Sequence, residues 1–444
     1  MIRVSKEGAN SGSGAERTMP DALQTQRRTL LAELFRNYSG PAFAIRLWND
    51  WQWSSLPGEK PMFTLVVETP NALAALLAEP NEVTLGEAFI CREIDVEGDI
   101  FSVFSLVEYL VSRPKSLMQR AKDLLLRTLA GSDRWFHHGA RHSQARDRAS
   151  INYHYDQQVE FFRPWLGCTL AYSCAYFRTT NDSLDLAQAQ KLELICRKLR
   201  LQPLERFLDI GCGWGSLILH ATNRHKVRAH GITLSRTQVE VAQCRIDDAK
   251  LARRCTVELL DYRNCAHLSG SFDKIASVGM FEHVGPKNLP HYFHTVHKLL
   301  RPGGTFLNHG IARSAHSPVR KDSFIDRYVF PDGRLATLSE AVSAAESAGF
   351  EVRDVENLCE HYELTLRKWV EGLRQNEEEL RNYVTEKTYR IWLLYMAGSA
   401  AAFRRGDIAV YQILLSRPER GRYRLPLIRE DWYSTSTWEQ RNEI

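Results

Sequence analysis

The stretch from Phe207 to Gly215 constrains the fold of this chain more than any other segment. Its sequence is Phe-Leu-Asp-Ile-Gly-Cys-Gly-Trp-Gly, so a short apolar run ends in a loop with glycine at every second position. An amphipathic run begins at Ser216, which predicts a strand, a glycine loop and then a helix. This order is typical of the first crossover of a doubly wound α/β fold, where a ligand lies against the backbone at a helix N-terminus. The spacing differs from that of dinucleotide-binding loops and of phosphate loops.

The length and composition allow two domains. At 444 residues the chain is long for one domain, and it has enough apolar residues for sizeable cores. Its nine cysteines are scattered without Cys-x-x-Cys pairs or zinc-ligand spacing, and no apolar signal segment follows Met1. We therefore expect a protein of the reducing cytoplasm without a metal site. No apolar run approaches the roughly 18 to 20 residues that span a bilayer, so we expect peripheral association with the inner face of the membrane.

The net charge of +5 is modest but unevenly distributed. Residues 113–148 contain nine Lys or Arg and only three Asp, together with three histidines and the pair Trp135-Phe136. A basic segment with an aromatic pair suits an anionic membrane surface. A solvated basic linker would have the same composition, and the residues leave both interpretations open. Since the segment lacks a recognisable nucleic-acid recognition module, we expect no nucleic-acid partner.

The distribution of polar and apolar residues divides the chain into four segments. Residues 1–20 are polar and aperiodic, and they are expected to be disordered. Residues 21–112 are predicted to form a small α+β domain, with strands at 43–48 and 63–67, a helix at 70–77, and an acidic loop over 86–90 and 94–99. A basic linker over 113–150 then leads to a larger domain at 151–444.

The larger domain alternates strands and helices in a Rossmann-like order, which predicts an open, mostly parallel sheet. Strands are expected at 206–210, 227–232, 256–260, 272–278, 305–309 and 408–415. Helices are expected from Ser216 and at 236–252, 290–300, 362–383 and 386–405. Because such a sheet binds ligands beyond the carboxyl ends of its strands, the residues after each strand are candidates for a binding site.

Four further motifs flank these strands. They are Tyr-Ser-Cys-Ala-Tyr-Phe at 172–177, Gly-Ile-Thr-Leu-Ser at 231–235, Leu-Asp-Tyr-Arg at 260–263 and Gly-Met-Phe-Glu-His-Val-Gly at 279–285. With the glycine loop, they make residues 153–417 resemble the cyclopropane-fatty-acyl-phospholipid synthase family, which includes the mycolic acid cyclopropane synthases. The resemblance implies a Rossmann-like class I methyltransferase domain that uses S-adenosylmethionine. It also implies that the small N-terminal α+β domain presents lipid.

The resemblance further implies a set of cofactor-binding residues. Three glycines would let the methionine part of S-adenosylmethionine approach the backbone, and a tyrosine and a serine would close over its carboxylate. A threonine and a glutamine would replace the acid that many such sites use to hold the ribose hydroxyls. In chain order the set is Tyr172, Ser173, Asp209, Gly211, Gly213, Gly215, Thr233, Leu234, Gln238, Asp261 and Tyr262. Asp261 and Tyr262 would flank the adenine, although a helix or turn cap is an alternative role for Asp261.

The implied chemistry requires a base that does not quench a cation. A cis alkene cannot be activated by removing a proton, so the rate must come from alignment with the sulfonium methyl group in a dry pocket. Methyl transfer leaves a carbocation on the acyl chain, which aromatic faces stabilise without reacting. Ring closure then removes a proton from the new methyl group. In the family this base is a bound bicarbonate, whose ligands correspond to Cys174, Glu282, His309, Tyr362 and the backbone of Ile311.

Each of these residues, taken singly, has a simpler explanation. Cys174 could be a small buried hydrophobic residue, His309 a hydrogen-bonded core histidine and Glu282 a turn cap. Cys174 and His309 could also provide a thiolate nucleophile, but alkyl transfer from a sulfonium needs no covalent enzyme intermediate. The same residue types could bind a metal, but their spacing matches no recognisable site.

The sequence thus predicts an enzyme that forms cyclopropane rings in the unsaturated acyl chains of membrane phospholipids. Two departures from the family pattern, at 157–160 and at Gly310, leave open a methyl or methylene branch as the product. A methyltransferase for a soluble substrate and an inactive lipid-binding protein of the same fold are rival interpretations. The acyl chain length, the head group and the formation of a homodimer are also left open.

Overall fold

The computed structural model describes residues 28–29, 31–70, 72, 81–112, 158–317, 323–330, 334–420 and 425–433. The predicted disordered segment, most of the predicted helix at 70–77 and the basic linker lie outside the described residues. The strands are β1 Phe43–Leu47, β2 Gln52–Ser54, β3 Phe63–Val67, β4 Ile94–Gly98, β5 Arg206–Ile210, β6 Arg228–Thr233, β7 Cys255–Leu259, β8 Phe272–Val278, β9 Leu300–Arg313, β10 Glu351–Asn357 and β11 Ile408–Ser416.

The main helices lie between and after these strands. They are α1 Glu82–Ile90, α2 Val103–Ser112, α3 Val159–Leu166, α4 Leu184–Leu199, α5 Ser216–His225, α6 Arg236–Asp248, α7 Leu289–Leu299, α8 Phe324–Tyr328, α9 Leu338–Ser347, α10 Cys359–Gln375, α11 Glu377–Leu380, α12 Glu386–Arg405 and α13 Glu430–Tyr433. Among the residues that the structure describes, no helix is long and apolar enough to cross a membrane.

Seven strands form one sheet in the order β10-β11-β9-β8-β5-β6-β7. Neighbouring strands from β9 to β7 are parallel, whereas β11 is antiparallel to both β9 and β10. The chain passes from β5 outward to β6 and β7, and it returns through β8 on the other side of β5. The winding therefore reverses between β5 and β8, which is where open α/β sheets bind their ligands.

The sheet buries apolar side chains on both faces. Phe207 and Leu208 are neighbours on β5 and are both fully buried, yet they belong to different hydrophobic clusters. Ile275 and Ala276, which are neighbours on β8, also belong to different hydrophobic clusters. Successive side chains of a strand point to opposite faces, so the burial of neighbouring residues on β5 reflects helices packed on both sides of the sheet.

The first four strands form a smaller sheet in the order β2-β1-β3-β4, in which only β1 and β3 are parallel. This sheet belongs to the same hydrophobic cluster as α3, α10 and α12. The buried Arg390 of α12 joins the two parts of the chain. Its guanidinium donates to the carbonyl of Phe89 at 2.6 Å, to that of Ile94 at 3.1 Å and to the Asp95 carboxylate at 3.2 Å.

Three expectations from the sequence require correction. The predicted acidic loop over 86–90 and 94–99 is wrong. Residues 86–90 form the second half of α1, because Asn81 caps this helix by accepting from the Thr84 amide at 2.9 Å and its apolar side chains are buried. Residues 94–98 form β4, which pairs with β3. Strand β9 does not end at His309 but continues to Arg313, since the antiparallel β11 pairs with its whole second half. The predicted helix 362–383 is α10, which begins at Cys359 and ends at Gln375.

Candidate functional site

The glycine loop joins β5 to α5 at the switch point of the sheet. All three glycines have positive φ, at 82° for Gly211, 54° for Gly213 and 84° for Gly215. A Cβ on Gly211 would lie 2.9 Å from the Cβ of Met280, and one on Gly215 would lie 3.2 Å from that of Ala242. A Cβ on Gly213 would meet nothing within 4 Å. Packing therefore limits the first and third positions, while the second faces open space.

That open space belongs to a cavity at the carboxyl ends of β5, β6 and β8. Nine of the eleven residues predicted to bind the cofactor line it, namely Tyr172, Ser173, Asp209, Gly211, Gly213, Thr233, Leu234, Gln238 and Tyr262. The structure therefore brings together residues that are up to 90 positions apart in the sequence. Gly215 and Asp261 do not line the cavity.

Asp261 is occupied by local contacts. Its carboxylate accepts from the backbone amide of Arg263 at 2.9 Å and pairs with the Arg263 guanidinium at 2.7 Å, so it caps the short 3₁₀-helix Tyr262–Leu268. Tyr262 and Arg263 line the cavity beside it. Asp261 therefore has the alternative role given above, that of a helix cap. In this role it orients Tyr262 and Arg263, which line the cavity.

The loop after β6 contains no acidic side chain toward the cavity but a hydrogen-bonded pair. The Thr233 hydroxyl donates to Oε1 of Gln238 at 2.6 Å. Ser235 caps α6 by accepting from the Gln238 backbone amide at 3.3 Å. The first turn of α6 therefore holds Gln238 against the end of β6, with its side chain at the cavity.

The cavity also contains a buried lysine that the sequence motifs did not indicate. Lys191 of α4 is 2% exposed, and its ammonium group donates to the Ser173 hydroxyl at 2.7 Å. Burial lowers the pKa of Lys191 and raises the pKa of the buried Asp209, and each group opposes the shift of the other. A lysine four residues before Ile195, on the buried side of a helix, is the signal that could have indicated it.

Glu282 follows β8 in a short 3₁₀-helix and turns away from solvent. Its Oε1 accepts the backbone amide of Ile311 at 2.8 Å, whereas its Oε2 is buried and has no hydrogen-bond partner among the described residues. Burial raises the pKa of this carboxyl group to about 7, against the opposing effect of the backbone hydrogen bonds. Oε2 of the ionised carboxylate can therefore accept a hydrogen bond from a ligand.

His309 lies within β9 and is 1% exposed. Its Nδ1 lies 3.1 Å from the amide nitrogen of Gln412 on β11, which donates to it. The proton of the ring then resides on Nε2, which is buried without a hydrogen-bond partner among the described residues. Burial and the nearby Lys191 and Lys198 hold the pKa well below its usual value, so the imidazole is neutral. His309 thus offers one N–H donor in the interior.

Cys174 and Tyr362 are joined to this region through one backbone group. The Leu358 carbonyl accepts the Tyr362 amide at 3.0 Å and lies 3.8 Å from the Cys174 thiol. The Leu358 amide donates to Val410 at 2.9 Å, and Val410 is paired with Ile311 across β11 and β9. Burial raises the pKa of the Cys174 thiol far above its usual range. The thiol is therefore neutral, which removes the thiolate nucleophile as an alternative.

Three buried tryptophans pack around Tyr172, which lines the cavity. The ring of Tyr172 lies 5.2 Å from that of Trp369 and 5.9 Å from those of Trp165 and Trp392. Tyr395 is hydrogen-bonded to Tyr172 and interacts electrostatically with Glu282. Tyr172 therefore joins the cavity lining to these rings, which we call the aromatic wall.

Comparison with known proteins identifies the family. Residues 142–413, more than half of the chain, match the family model described as mycolic acid cyclopropane synthetase. The chain belongs to this family. It is accordingly an S-adenosylmethionine-dependent methyltransferase, as the sequence motifs predicted. A second match, over residues 30–122, is to a domain of unknown function (DUF7884).

Two bacterial proteins are among the relatives of this chain. One, from Pseudomonas putida, is named a probable fatty acid methyltransferase and is 38% identical over 394 residues, which span 88% of this chain and 95% of that protein. The other is the cyclopropane-fatty-acyl-phospholipid synthase of Escherichia coli, which is 38% identical over 276 residues, or 62% of this chain and 70% of the synthase.

Solved structures of the family share the fold. A cyclopropane synthase from Mycobacterium tuberculosis superposes with a TM-score of 0.58 at 32% identity, covering 60% of this chain and 97% of that one. A mycolic acid cyclopropane synthase complexed with SAH and CTAB gives a TM-score of 0.56, also at 32% identity, with 60% and 97% coverage. The expected Rossmann-like class I methyltransferase fold is thus confirmed.

Proposed function

We propose that the protein transfers the methyl group of S-adenosylmethionine to the cis double bond of unsaturated acyl chains in membrane phospholipids, and that it forms a cyclopropane ring. The observation that carries the proposal is that Glu282 Oε2 and His309 Nε2 are both buried and have no hydrogen-bond partner among the described residues. Glu282 also accepts from the amide of Ile311, two residues after His309 on β9, so the two side chains belong to one region of the sheet. An acceptor and a donor so placed are suited to bicarbonate, which has both a hydroxyl group and carboxylate oxygens. The similarity to the cyclopropane-fatty-acyl-phospholipid synthase of Escherichia coli also supports this proposal.

The cavity fits S-adenosylmethionine at the glycine loop. A Cβ on Gly213 would project into open space, so the bare backbone leaves room for a ligand there. When bound, S-adenosylmethionine supplies an electrophilic methyl group. We assign its carboxylate to Tyr172 and Ser173, with Lys191 as an added positive charge, and its ribose to Thr233 and Gln238. Asp209, Gly211, Leu234 and Tyr262 also line the cavity. Gly215 and Asp261, which were predicted as binding residues, would act only by shaping the glycine loop and the 3₁₀-helix beside it.

The base of the reaction is assigned to bicarbonate held by Cys174, Glu282, His309, Tyr362 and the Ile311 backbone. The His309 Nε2–H can donate to the anion, and ionised Glu282 can accept from its hydroxyl group. The neutral Cys174 thiol contacts the carbonyls of Ala175 at 3.2 Å and Leu358 at 3.8 Å, so it can donate to the anion only by giving up these contacts. In this structure the Ile311 amide donates to Glu282, so it can serve the anion only by sharing that hydrogen bond or exchanging it. These residues would hold the anion where it removes a proton from the new methyl group.

The aromatic wall has two roles in this mechanism. It excludes water, which would otherwise quench a carbocation on the acyl chain. The ring faces also stabilise positive charge without reacting with it, as cation–π contacts do elsewhere. Trp165 and Trp369 are buried in this wall beside Tyr172, which lines the cavity.

Expression in a bacterial host without cyclopropane lipids tests the proposed function. We expect cyclopropane acyl chains to appear at the expense of unsaturated ones in the extracted phospholipids, as measured by gas chromatography with mass spectrometry. The Gly213→Val variant, expressed at the same level, should produce none. An unchanged lipid profile with the folded native protein would contradict the proposal.

A second candidate is a fatty acid methyltransferase that leaves a methyl or methylene branch. The similarity to the Pseudomonas putida protein favours it, because that relative aligns with 88% of this chain and bears that name. All these products pass through the same cation, so the residues of the site do not separate them. The same lipid analysis does, since a branch and a ring fragment differently.

The pKa of Glu282 predicts how the rate depends on pH. Burial raises this pKa to about 7, so the carboxyl group is protonated at lower pH and cannot accept from the bicarbonate hydroxyl. We expect kcat at saturating cofactor and bicarbonate to increase as the pH is raised through about 7. This dependence should disappear from kcat in Glu282→Gln, which has no ionisable group there. A kcat of the native protein that is constant across this range would contradict the assignment.

The basic segment at 113–148 predicts salt-dependent membrane binding. The segment lies outside the described residues, so this prediction is based on its sequence. Replacing its nine Lys and Arg by Gln should weaken binding to anionic vesicles in a sedimentation assay. Raising the salt should weaken native binding, because exposed charges are screened over about 10 Å at 0.1 M. Neutral vesicles are the control, and salt-independent binding would instead assign the interaction to apolar insertion.

A further inference from the structure

A second group of polar side chains lies between α4 and α5, outside the cavity. It consists of Glu193 and Cys196 on α4 and of His220 and His225 on α5, and we call it the α4–α5 cluster. Nε2 of His220 and Nε2 of His225 lie 3.0 Å and 3.1 Å from the same oxygen, Oε2 of Glu193. The potential ligand atoms of the cysteine and the two histidines all lie within 4.8 Å of one another.

The α4–α5 cluster is almost closed to solvent. Cys196 is fully buried, and the side chains of Glu193, His220 and His225 are 13%, 17% and 11% exposed. His220 also lines a surface pocket beside the cluster. Polar side chains of this kind, buried between two helices, require mutual partners or a ligand.

The donor set has the composition of a zinc site. Zinc takes four ligands in a tetrahedron, from cysteine sulfur, histidine nitrogen and carboxylate oxygen, with bonds of about 2.0–2.3 Å that place neighbouring ligand atoms roughly 3.3–3.8 Å apart. The ligand atoms of Cys196, His220 and His225 lie within 4.8 Å of one another, and Oε2 of Glu193 lies 3.0 and 3.1 Å from the two histidines. Glu193 is outside the mutual 4.8 Å group, so its carboxylate would have to move toward the Cys196 thiol to become the fourth ligand. Calcium and magnesium are unsuited, since they take oxygen ligands.

The surrounding charges are compatible with a bound divalent cation. A thiolate at Cys196 and the Glu193 carboxylate would neutralise it, so the buried complex would carry no net charge of its own. Oε1 of Glu193 accepts from the Arg197 guanidinium at 2.9 Å, which leaves Oε2 facing the two imidazoles. Such hydrogen bonds from outside the ligand set commonly orient metal-binding carboxylates.

We propose that Glu193, Cys196, His220 and His225 form a structural zinc site. Binding releases the thiol proton of Cys196 and moves each imidazole proton from Nε2 to Nδ1, so that every ligand atom has a free electron pair. Four protein ligands close the coordination sphere, which is the arrangement of structural and not catalytic zinc. The ion would link α4 to α5. Lys191 lies on the first of these helices, and the second begins at the glycine loop.

Cobalt binding to the untagged full chain tests the proposal without reference to enzyme activity. Protein stripped with a chelator and kept reduced should bind one equivalent of Co²⁺, with tetrahedral d–d bands and a thiolate-to-cobalt charge-transfer band. Added Zn²⁺ should displace the cobalt and remove both. Cobalt spectra without a thiolate band, or no binding, would overturn the site and leave the cluster as a hydrogen-bonded contact between two helices.

Two variants and one control locate the ion. Cys196→Ser should lose the thiolate band, while Cys244→Ser, which alters an exposed cysteine on α6, should keep it. His225→Asn, at the end of α5, should retain the band but bind the metal more than about tenfold more weakly. If Cys196→Ser does not fold, the metal affinity of His225→Asn still tests whether the ion is bound at this cluster. A thiolate band that survives in Cys196→Ser, or an unchanged affinity in His225→Asn, would overturn the assignment.

Discussion

Replacing Gly213 with valine is expected to abolish measurable binding of S-adenosylmethionine while the fold is retained. A Cβ at this position meets nothing within 4 Å, so the added side chain enters the space that we assign to the cofactor. The main cost to stability is the left-handed backbone at φ 54°, which disfavours a branched residue by about 1–2 kcal/mol. Isothermal titration calorimetry measures the affinity, and circular dichroism checks the fold.

Gly270→Val is a matched control for this experiment. Gly270 has φ 64° and also has nothing within 4 Å of an added Cβ, but it lies outside the cavity lining. The two variants should therefore lose similar stability, and only Gly213→Val should lose the cofactor. Native affinity in Gly213→Val would place the cofactor elsewhere and contradict the assignment of the glycine loop.

Glu282→Gln is expected to lower turnover by about 10²- to 10⁴-fold, the usual contribution of a positioned base. The glutamine oxygen can still accept from the Ile311 amide, which lies 2.8 Å away, so the local structure should persist. The second oxygen, however, is replaced by an amide nitrogen that donates and cannot accept from the bicarbonate hydroxyl. Steady-state rates with phospholipid vesicles provide the measurement, and added bicarbonate should restore part of the rate.

The affinity for S-adenosylmethionine should be unchanged in Glu282→Gln, because Glu282 is assigned to proton removal and not to the sulfonium. Hydroxylated or branched side products should increase as the cation persists. Glu258→Gln, which changes an exposed carboxylate on β7, should have native turnover. Native rates in the Glu282 variant in bicarbonate-depleted buffer would contradict the proposed base but not the methyltransferase itself.

The parts of the fold that the sequence predicted are those set by local pattern. The glycine loop and the apolar runs of β5 and β8 located the switch point of the sheet, because glycine spacing and strand hydrophobicity act over a few residues. The predicted end of β9 was wrong, because the second half of this strand is stabilised by β11, which lies almost a hundred positions later in the sequence. A strand that depends on a distant partner has no complete signal of its own in the sequence.

The site shows the same division between local and distant contacts. Motifs located Glu282 and His309, but only the structure shows that one oxygen and one nitrogen of these residues are left without partners among the described residues. Lys191 was missed because a lysine within an amphipathic helix usually extends to solvent. The α4–α5 cluster was missed because its ligands are separated as Glu-x-x-Cys and His-x₄-His on two helices, a spacing that matches no familiar zinc motif.

The most direct test of the proposed function is the product that the purified protein forms from unsaturated phospholipid and S-adenosylmethionine labelled with deuterium throughout its methyl group. Loss of a proton from the new methyl group predicts a saturated acyl chain with a deuterated cyclopropane methylene that has lost one deuterium. Mass spectrometry counts the label, and proton and deuterium NMR locate it in the ring. A branch, either a fully deuterated methyl group or a dideuterated methylene outside a ring, or a lipid that is not methylated on carbon, would contradict cyclopropane formation by this protein.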